Sequence, residues 1–239
     1  MIINLITPLP EIVELCRFGI LGKAIEQEKV KINMINIRDF SARKDRRIDD
    51  TTYGGGAGMV ITPEPVYQAI QTCQPSHIIQ LDPKGTQLTQ NKVQQLASFT
   101  NITLLCGRYE GIDHRIDSYI DEYISIGDYV LSGGDIPALA LIDAITRLLP
   151  GAMSNPDSHL NDSFSSDLLD HNHYTRPQAW RNQMVPEVLL QGNHKEIDAY
   201  RRMSAIGNTW LNRPDLLIGK KFSQNELALF MKFVQNHNE

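Results

Sequence analysis

Apolar residues fall along the first two thirds of the chain in short blocks that alternate between two spacings. Ile2–Ile6, Ile78–Leu81 and Ile102–Cys106 are near-continuous apolar runs, the length and composition of strands buried on both faces. Ile32, Met34 and Ile37 alternate well enough for a further strand, and Tyr123–Ile126 is a last short run. Helical spacing lies between them. Glu11 to about Glu28 carries Ile12, Leu15, Ile20, Leu21, Ala24 and Ile25, interrupted near Gly19 and Gly22. Thr62-Pro63 ahead of Val66, Tyr67, Ala69 and Ile70 predicts a capped helix, and Gln90–Phe99 predicts another. From Ile136 the pattern is helical and almost wholly apolar until Pro150-Gly151 stops it. Pro137 falls in the first turn of that helix, where its missing N–H costs nothing. Strands alternating with helices predict an α/β fold, a mainly parallel sheet with helices on both faces.

After Gly151 the pattern breaks. Ser154 to Asp167 reads SNPDSHLNDSFSSD, in which only Leu160 and Phe164 are apolar apart from a proline. Such a stretch cannot pack a core and predicts a flexible linker. Beyond it the chain turns helical. Asn193 with Glu196, then Ser223 with Glu226, are N-cap pairs followed by apolar residues at helical spacing. The predicted organisation is an α/β domain over 1–153, a linker over 154–167 and a small helical domain over 168–239.

Composition narrows the class. A chain of 239 residues with 41% apolar and 21% charged residues is an ordinary globular protein, long enough to bury a real core. No apolar run approaches the ~20 residues of a membrane span, so no membrane partner is expected. The start, MIINLITPLPEIVEL, lacks a basic leader and is broken by Pro8 and Pro10, unlike a signal peptide. Cys16, Cys73 and Cys106 are odd in number, far apart and in no CxxC arrangement, which predicts reduced, unpaired thiols, a cytoplasmic setting and no zinc site. The net charge of −5 gives no sign of nucleic acid, so any RNA contact must be local. Arg43, Lys44, Arg46 and Arg47 form one basic cluster, and Lys195, Arg201, Arg202 and Arg213 another. Clusters of this kind are usually solvated faces. Tyr174, Arg176, Trp180 and Trp210 among them favour stacking on unpaired bases.

Three glycine-bearing turns carry the candidate chemistry. Leu81-Asp82-Pro83, Gly107-Arg108-Tyr109-Glu110 and Ile126–Leu131 with Ser132-Gly133-Gly134 each follow a predicted strand. They should therefore share one sheet edge, where open α/β sheets bind ligands. Spacing alone leaves open that these glycines only make turns. The dinucleotide motif GxGxxG is absent from them. A further loop, Tyr53-Gly54-Gly55-Gly56-Ala57-Gly58-Met59, cannot hold a helix or strand cheaply and allows close backbone approach. His171 and His173 with Asp170 hint at a metal, but two imidazoles on a short polar turn are weak evidence, and no metal site is predicted.

The wording of these stretches adds a resemblance. LCGRYEGID (105–113), SIGDYVLSGG (125–134) and DSF…LLD…YTRP (162–177) closely resemble the bacterial tRNA (guanine-37-N1)-methyltransferase family, knotted RNA methyltransferases of the SPOUT type. The resemblance runs from the first strand to about Leu217. It implies a trefoil knot, S-adenosylmethionine as methyl donor, and a homodimer whose active site lies at the subunit interface. The substrate would be a tRNA with guanine at 37, beside the anticodon.

The resemblance also implies site residues. Leu81, Pro83, Gly107, Glu110, Gly127, Asp128, Tyr129, Val130, Gly133 and Gly134 would hold the donor, with Ile126, Leu131 and Pro137 enclosing its adenine. Asp162 matches the general base and Arg147 the arginine supporting guanine. By composition alone, Asp162 reads as a linker residue or N-cap and Arg147 as a helix-dipole partner. For tRNA contact it points to Arg43, Arg46, Tyr53 and Gly55, then to Phe164, Asp170, His173, Tyr174 and Arg176. Gly192, Asn193, His194 and Arg201 complete that surface. Magnesium is associated with the family, yet no ligand set declares itself; Glu110 and Asp162 are the conceivable participants. Asp135 stands where a glutamate is usual, and Leu9-Pro10-Glu11-Ile12-Val13 where a more aromatic string is usual. Two rivals remain: a related knotted enzyme acting on another RNA position, and an RNA-binding protein without catalysis.

Overall fold

The computed structural model describes residues 1–153 and 162–237. Contacts divide the chain into two units, Met1–Pro156 and Asp157–Glu239. In the first unit, the strands in chain order are β1 (Ile2–Thr7), β2 (Lys31–Asn36), a short pair β3 (Asp49–Asp50) and β4 (Val60–Ile61), then β5 (His77–Gln87), β6 (Asn101–Cys106) and β7 (Glu122–Ser125). Five of them form one parallel sheet in the order β2-β1-β6-β5-β7. The helices are α1 (Gly19–Glu26), α2 (Pro63–Gln71), α3 (Gln90–Ala97) and α4 (Asp135–Leu148).

Pleating sends alternate residues of each strand to opposite faces. Ile3 and Leu5 of β1, Ile79 and Leu81 of β5, and Ile102, Leu104 and Cys106 of β6 join residues of α1, α3 and α4 in one buried cluster. Ile6, Ile78 and Leu105 point the other way, onto Val66, Ala69 and Ile70 of α2. Both faces are covered, which is why these strands read as unbroken apolar runs.

Three elements differ from their sequence reading. The helix expected from Glu11 to Glu28 is a 3-10 segment, Pro10–Arg17, then extended Phe18, then α1. The glycines make this bend: Gly19 has φ +64, and a Cβ on Gly22 would fall 2.2 Å from the Arg17 carbonyl oxygen. Ile37 leaves the second strand for a 3-10 turn, because the Asn36 side chain accepts a hydrogen bond from the Arg38 N–H. β5 does not end at Asp82. It loops out over residues 82–85 and returns, so that Leu81 and Thr86 both align with Ile124.

The second unit holds a hairpin, β8 (Ala179–Trp180) with β9 (Gln183–Met184), and two helices, α5 (His194–Asn212) and α6 (Gln224–His237). A Cβ on Gly207 of α5 would fall within 2.2 Å of the Phe233 ring of α6, so glycine sets their close approach. Ser223 and Glu226 form a reciprocal capping box: the Ser223 N–H donates to Glu226 at 2.8 Å and the Glu226 N–H to Ser223 Oγ at 3.2 Å. Asn193 does occupy the N-cap of α5, but its side chain makes no capping hydrogen bond.

Residues 154–161 of the expected linker lie outside the described residues. Its last part, 162–167, is a hydrogen-bonded turn. The Phe164 N–H donates to the Leu168 carbonyl at 2.7 Å, and Lys220 Nζ reaches the Ser166 carbonyl at 3.0 Å.

Candidate active site

Pairing of Leu81 with Cys106, and of Leu81 with Ile124, sets the point where β5 loops out beside the ends of β6 and β7. The loops leaving them enclose a cleft of about 450 Å³, lined by residues 81–84, 107–111, 124–127 and 129–134. Leu81, Pro83, Gly107, Glu110, Ile126, Gly127, Tyr129, Val130, Leu131, Gly133 and Gly134 all lie in that lining. Asp128 and Pro137 do not. Asp128 is exposed on its turn, and Pro137 is buried within the first turn of α4.

The walls interlock through main chain. The Gly134 N–H donates to the Gly107 carbonyl at 2.9 Å, and Arg108 bridges Gly133. A Cβ on Gly134 would sit 3.0 Å from Cys106 Cα and 3.2 Å from Leu81 Cβ, so the two loops meet only because a side chain is missing. Gly107 differs: its Cβ would rest on Ile112 at an ordinary 3.5 Å. Gly127 needs its freedom twice, with φ +148 and the Tyr129 ring 2.5 Å from a built Cβ.

Two residues outside the expected donor set hold this arrangement. Asp135, only 3% exposed at the start of α4, pairs with Arg108 at 3.2 Å and accepts a hydrogen bond from the Thr7 hydroxyl. Its charge is favourably placed at a helix N-terminus. The sequence signal was an acid directly after Ser132-Gly133-Gly134; its partner 27 residues upstream was not visible. The glycine-rich loop also finds its neighbour. A Cβ on Gly58 would clash with the Glu110 side chain at 2.4 Å, and the Glu110 N–H donates to the Met59 carbonyl at 3.0 Å. Tyr53 in that loop is fully exposed.

In the second unit, Asp162, Asp170, His171 and Arg201 line a cleft of about 380 Å³ with Asp198 and Arg202. Asp170 takes its carboxylate to both neighbouring imidazoles, His171 at 2.7 Å and His173 at 2.8 Å. Burial pushes the Asp170 carboxyl up, but bonds from His173 and the His171 N–H outweigh it and hold it below the usual range. Tyr174 and Tyr200 hydroxyls lie 3.4 Å apart. Phe164, with φ +71, lies under the Arg213 guanidinium at 5.9 Å. Gly192, with φ +73, turns the chain into Asn193 and His194 at the start of α5, and Arg176 is exposed. Trp210 packs edge-on against Phe230, a structural role in the helix pair, whereas Trp180 is exposed beside Arg181.

The remaining expected residues lie elsewhere. Arg147 is in the last turn of α4, in the first unit. Arg43 is paired with Asp45 and Arg46 with Asp39, so the first basic cluster is partly neutralised within its own loop. Gly55, with φ +80, is open to solvent.

The family described as tRNA (Guanine-1)-methyltransferase TrmD matches residues 1–219. The chain belongs to this family, and it is an enzyme. A tRNA (guanine-N(1)-)-methyltransferase of Halorhodospira halophila is 45% identical over 98% of this chain and 92% of its own length. One from Caldanaerobacter subterraneus is 48% identical over 91% of this chain and 92% of its own length. A third, from Legionella pneumophila, is 45% identical over 99% and 98% respectively. Among the described residues no helix is long and apolar enough to cross a membrane.

The cleft presents bare main chain at Gly107, Gly133 and Gly134, apolar Leu81, Ile126 and Leu131, and the acids Asp82 and Glu110. Peptide N–H and C=O groups read a purine edge, apolar side chains cover its face, and carboxylates suit a nearby positive charge. These residues fit a sulfonium methyl donor carrying an adenine.

Proposed function

We propose that this enzyme transfers a methyl group from S-adenosylmethionine to N1 of guanine 37 in the anticodon loop of tRNA, acting as a homodimer. The observation that carries the reading is the glycine-built cleft at the ends of β5, β6 and β7, in a chain of this family. S-adenosylmethionine, when bound, supplies an electrophilic methyl on sulfur. Main chain of residues 107–111 and 126–134 holds the adenine end, and the Asp135–Arg108 pair keeps those loops together. The reading includes the trefoil knot that the family resemblance implies.

Guanine N1 carries a proton at neutral pH and is a poor nucleophile until it leaves. Asp162 accepts that proton, and Arg147 stabilises the negative charge growing on O6. The 168–239 segment binds the tRNA, with Trp180, Tyr174 and Arg176 as exposed stacking groups. A target inside a duplex could not reach such groups, so the base is a loop nucleotide turned outward. Among the described residues no three carboxylates gather into one cluster, and no step is assigned to magnesium.

Dimerisation rests on α4. Within one chain the sheet, α1 and α3 cover most of it, more than the sequence suggested. A stripe of Ile136, Ala140 and Asp143 stays exposed, next in sequence to exposed Val130 and Leu131. A second copy would cover it. The deciding experiment is nucleoside mass spectrometry of unmodified tRNA after incubation with the protein and S-adenosylmethionine. The expected product is 1-methylguanosine at position 37; ribose methylation, or no methyl incorporation, overturns the reading.

A further inference from the structure

Asp170, His171 and His173 offer one ligand atom each, all within 4.8 Å of one another. We propose that they form a binding site for a divalent transition metal of the zinc class, with two imidazoles, one carboxylate and open positions toward solvent. The site shares the cleft of Asp162, and two of its ligands, Asp170 and His173, also belong to the expected tRNA surface, so the ion is tested without RNA or donor.

The donor set selects the metal. Imidazole nitrogen suits zinc, nickel and copper, whereas magnesium demands oxygen ligands. Two histidines with one carboxylate and an open position is a set that zinc accepts. The geometry is close to that needed. The carboxylate oxygens lie 2.7 Å from His171 Nδ1 and 2.8 Å from His173 Nε2, and the two rings are 4.3 Å apart. Bonds of about 2.0–2.1 Å to a shared ion hold such atoms about 3–3.4 Å apart. The two hydrogen-bonded separations must open by a few tenths of an ångström, and the farthest ligand atoms, no more than 4.8 Å apart, must close onto the ion by rotation of the exposed His173 side chain. A neutral imidazole can carry its single proton on the far nitrogen and present the near one to the ion.

The turn bearing these ligands is fixed before any ion arrives. Side chains of α5 hold it by the backbone: Thr209 accepts from the Leu169 N–H at 2.9 Å and Ser204 from the Asn172 N–H at 3.0 Å. Asn208 donates to the Asp170 carbonyl at 2.8 Å and to the Asn172 side chain at 3.0 Å. Ser163 accepts from the Asp170 N–H at 3.0 Å. Little chain entropy is then lost on binding. Access is open, since the His173 side chain is 69% exposed. The nearby arginines do not repel a cation unopposed, because Arg201 faces Asp198 and Arg202 binds Glu226.

The test is calorimetric titration of the full chain with zinc chloride, without RNA or donor, alongside titration with magnesium chloride. One zinc per chain is expected, unaffected by excess magnesium. His171→Ala and His173→Gln should each weaken it by at least about tenfold, since even supporting residues around a metal cost that much. Circular dichroism checks that both variants fold, and exposed His173 is the safer of the two. Substitution by cobalt should give a visible ligand-field spectrum that both variants lose. Zinc binding of equal strength in both variants, no zinc binding at all, or equal competition by magnesium would each overturn the proposal.

Discussion

The two clefts are built from opposite materials. The strand-end cleft is made of backbone: its loops meet at Gly107, Gly133 and Gly134, and the half-buried Arg108 paired with buried Asp135 ties the loops together. The cleft beside α5 is made of charged side chains, Asp162, Asp170, His171, Asp198, Arg201 and Arg202, set on a turn and a helix. A backbone site is rigid and reads shape, which suits a ligand that must be held the same way each cycle. A side-chain site can lend and take protons, which suits the reaction step. Substitutions should therefore divide by site: in the first cleft they alter donor binding, and in the second they alter rate.

The largest effect should come from the second cleft. Asp162→Asn keeps size and hydrogen bonding but cannot accept the N1 proton, and loss of a general base costs about 10²–10⁴-fold in rate. Single-turnover methylation should show that loss with donor and tRNA binding within a few-fold of wild type. Abolished tRNA binding with an unchanged bound-state rate would make Asp162 a docking residue and blur the division.

Next come the glycines of the first cleft. Gly134→Val forces a side chain against Cys106 and Leu81, and should weaken donor binding in calorimetry by about tenfold or more, given overpacking costs of about 1–3 kcal/mol. Gly107→Ala, whose Cβ meets only Ile112, should change it by less than about threefold. If the two behave alike, close approach is not what shapes the cleft.

Ile136→Glu tests whether the first unit is complete alone. A charge on the exposed stripe of α4 should shift sedimentation toward monomer and lower activity in proportion. A full-length wild-type protein that is monomeric at micromolar concentration and fully active would remove the dimer from the scheme.

The smallest effect should be in the second unit's frame. Ser223→Ala removes the reciprocal cap of α6 and should cost about 1 kcal/mol, seen as a lowered Tm. The Ser223 N–H and Arg202 hold the Glu226 carboxyl down to about 2, from its ordinary 4.5. Its contribution is therefore full above about 4.5 and fades as pH falls toward 2, so acid should unfold α6 early. Ser223→Ala keeps the Ser223 N–H and should retain most of that acid sensitivity, whereas Arg202→Ala should shrink it.

Much of the fold was legible because hydrophobic burial leaves a local pattern. Strands covered on both faces read as Ile102–Cys106 or Ile2–Ile6 whatever they pair with, and the capping box at Ser223 spans only three residues. The glycine turns were readable as a site because three of them follow strands, and parallel pairing brings strand ends to one edge. The long motifs named the family before any coordinate did.

What only the tertiary structure decided depends on partners far apart in sequence. The bend at Gly22 exists because of the Arg17 carbonyl, and the return of β5 exists because β7 offers Ile124 twice. Burial of Pro137 in the first turn of α4 came only with the packing of that helix. The lock on the cleft joins Thr7, Arg108 and Asp135 across 128 residues. Two histidines on a polar turn became a three-ligand cluster only when α5 pinned that turn by Ser204, Asn208 and Thr209. Sequence periodicity records which side of an element is buried. It carries no record of which distant group comes to lie against it, because that is set by packing of whole elements and not by any residue alone.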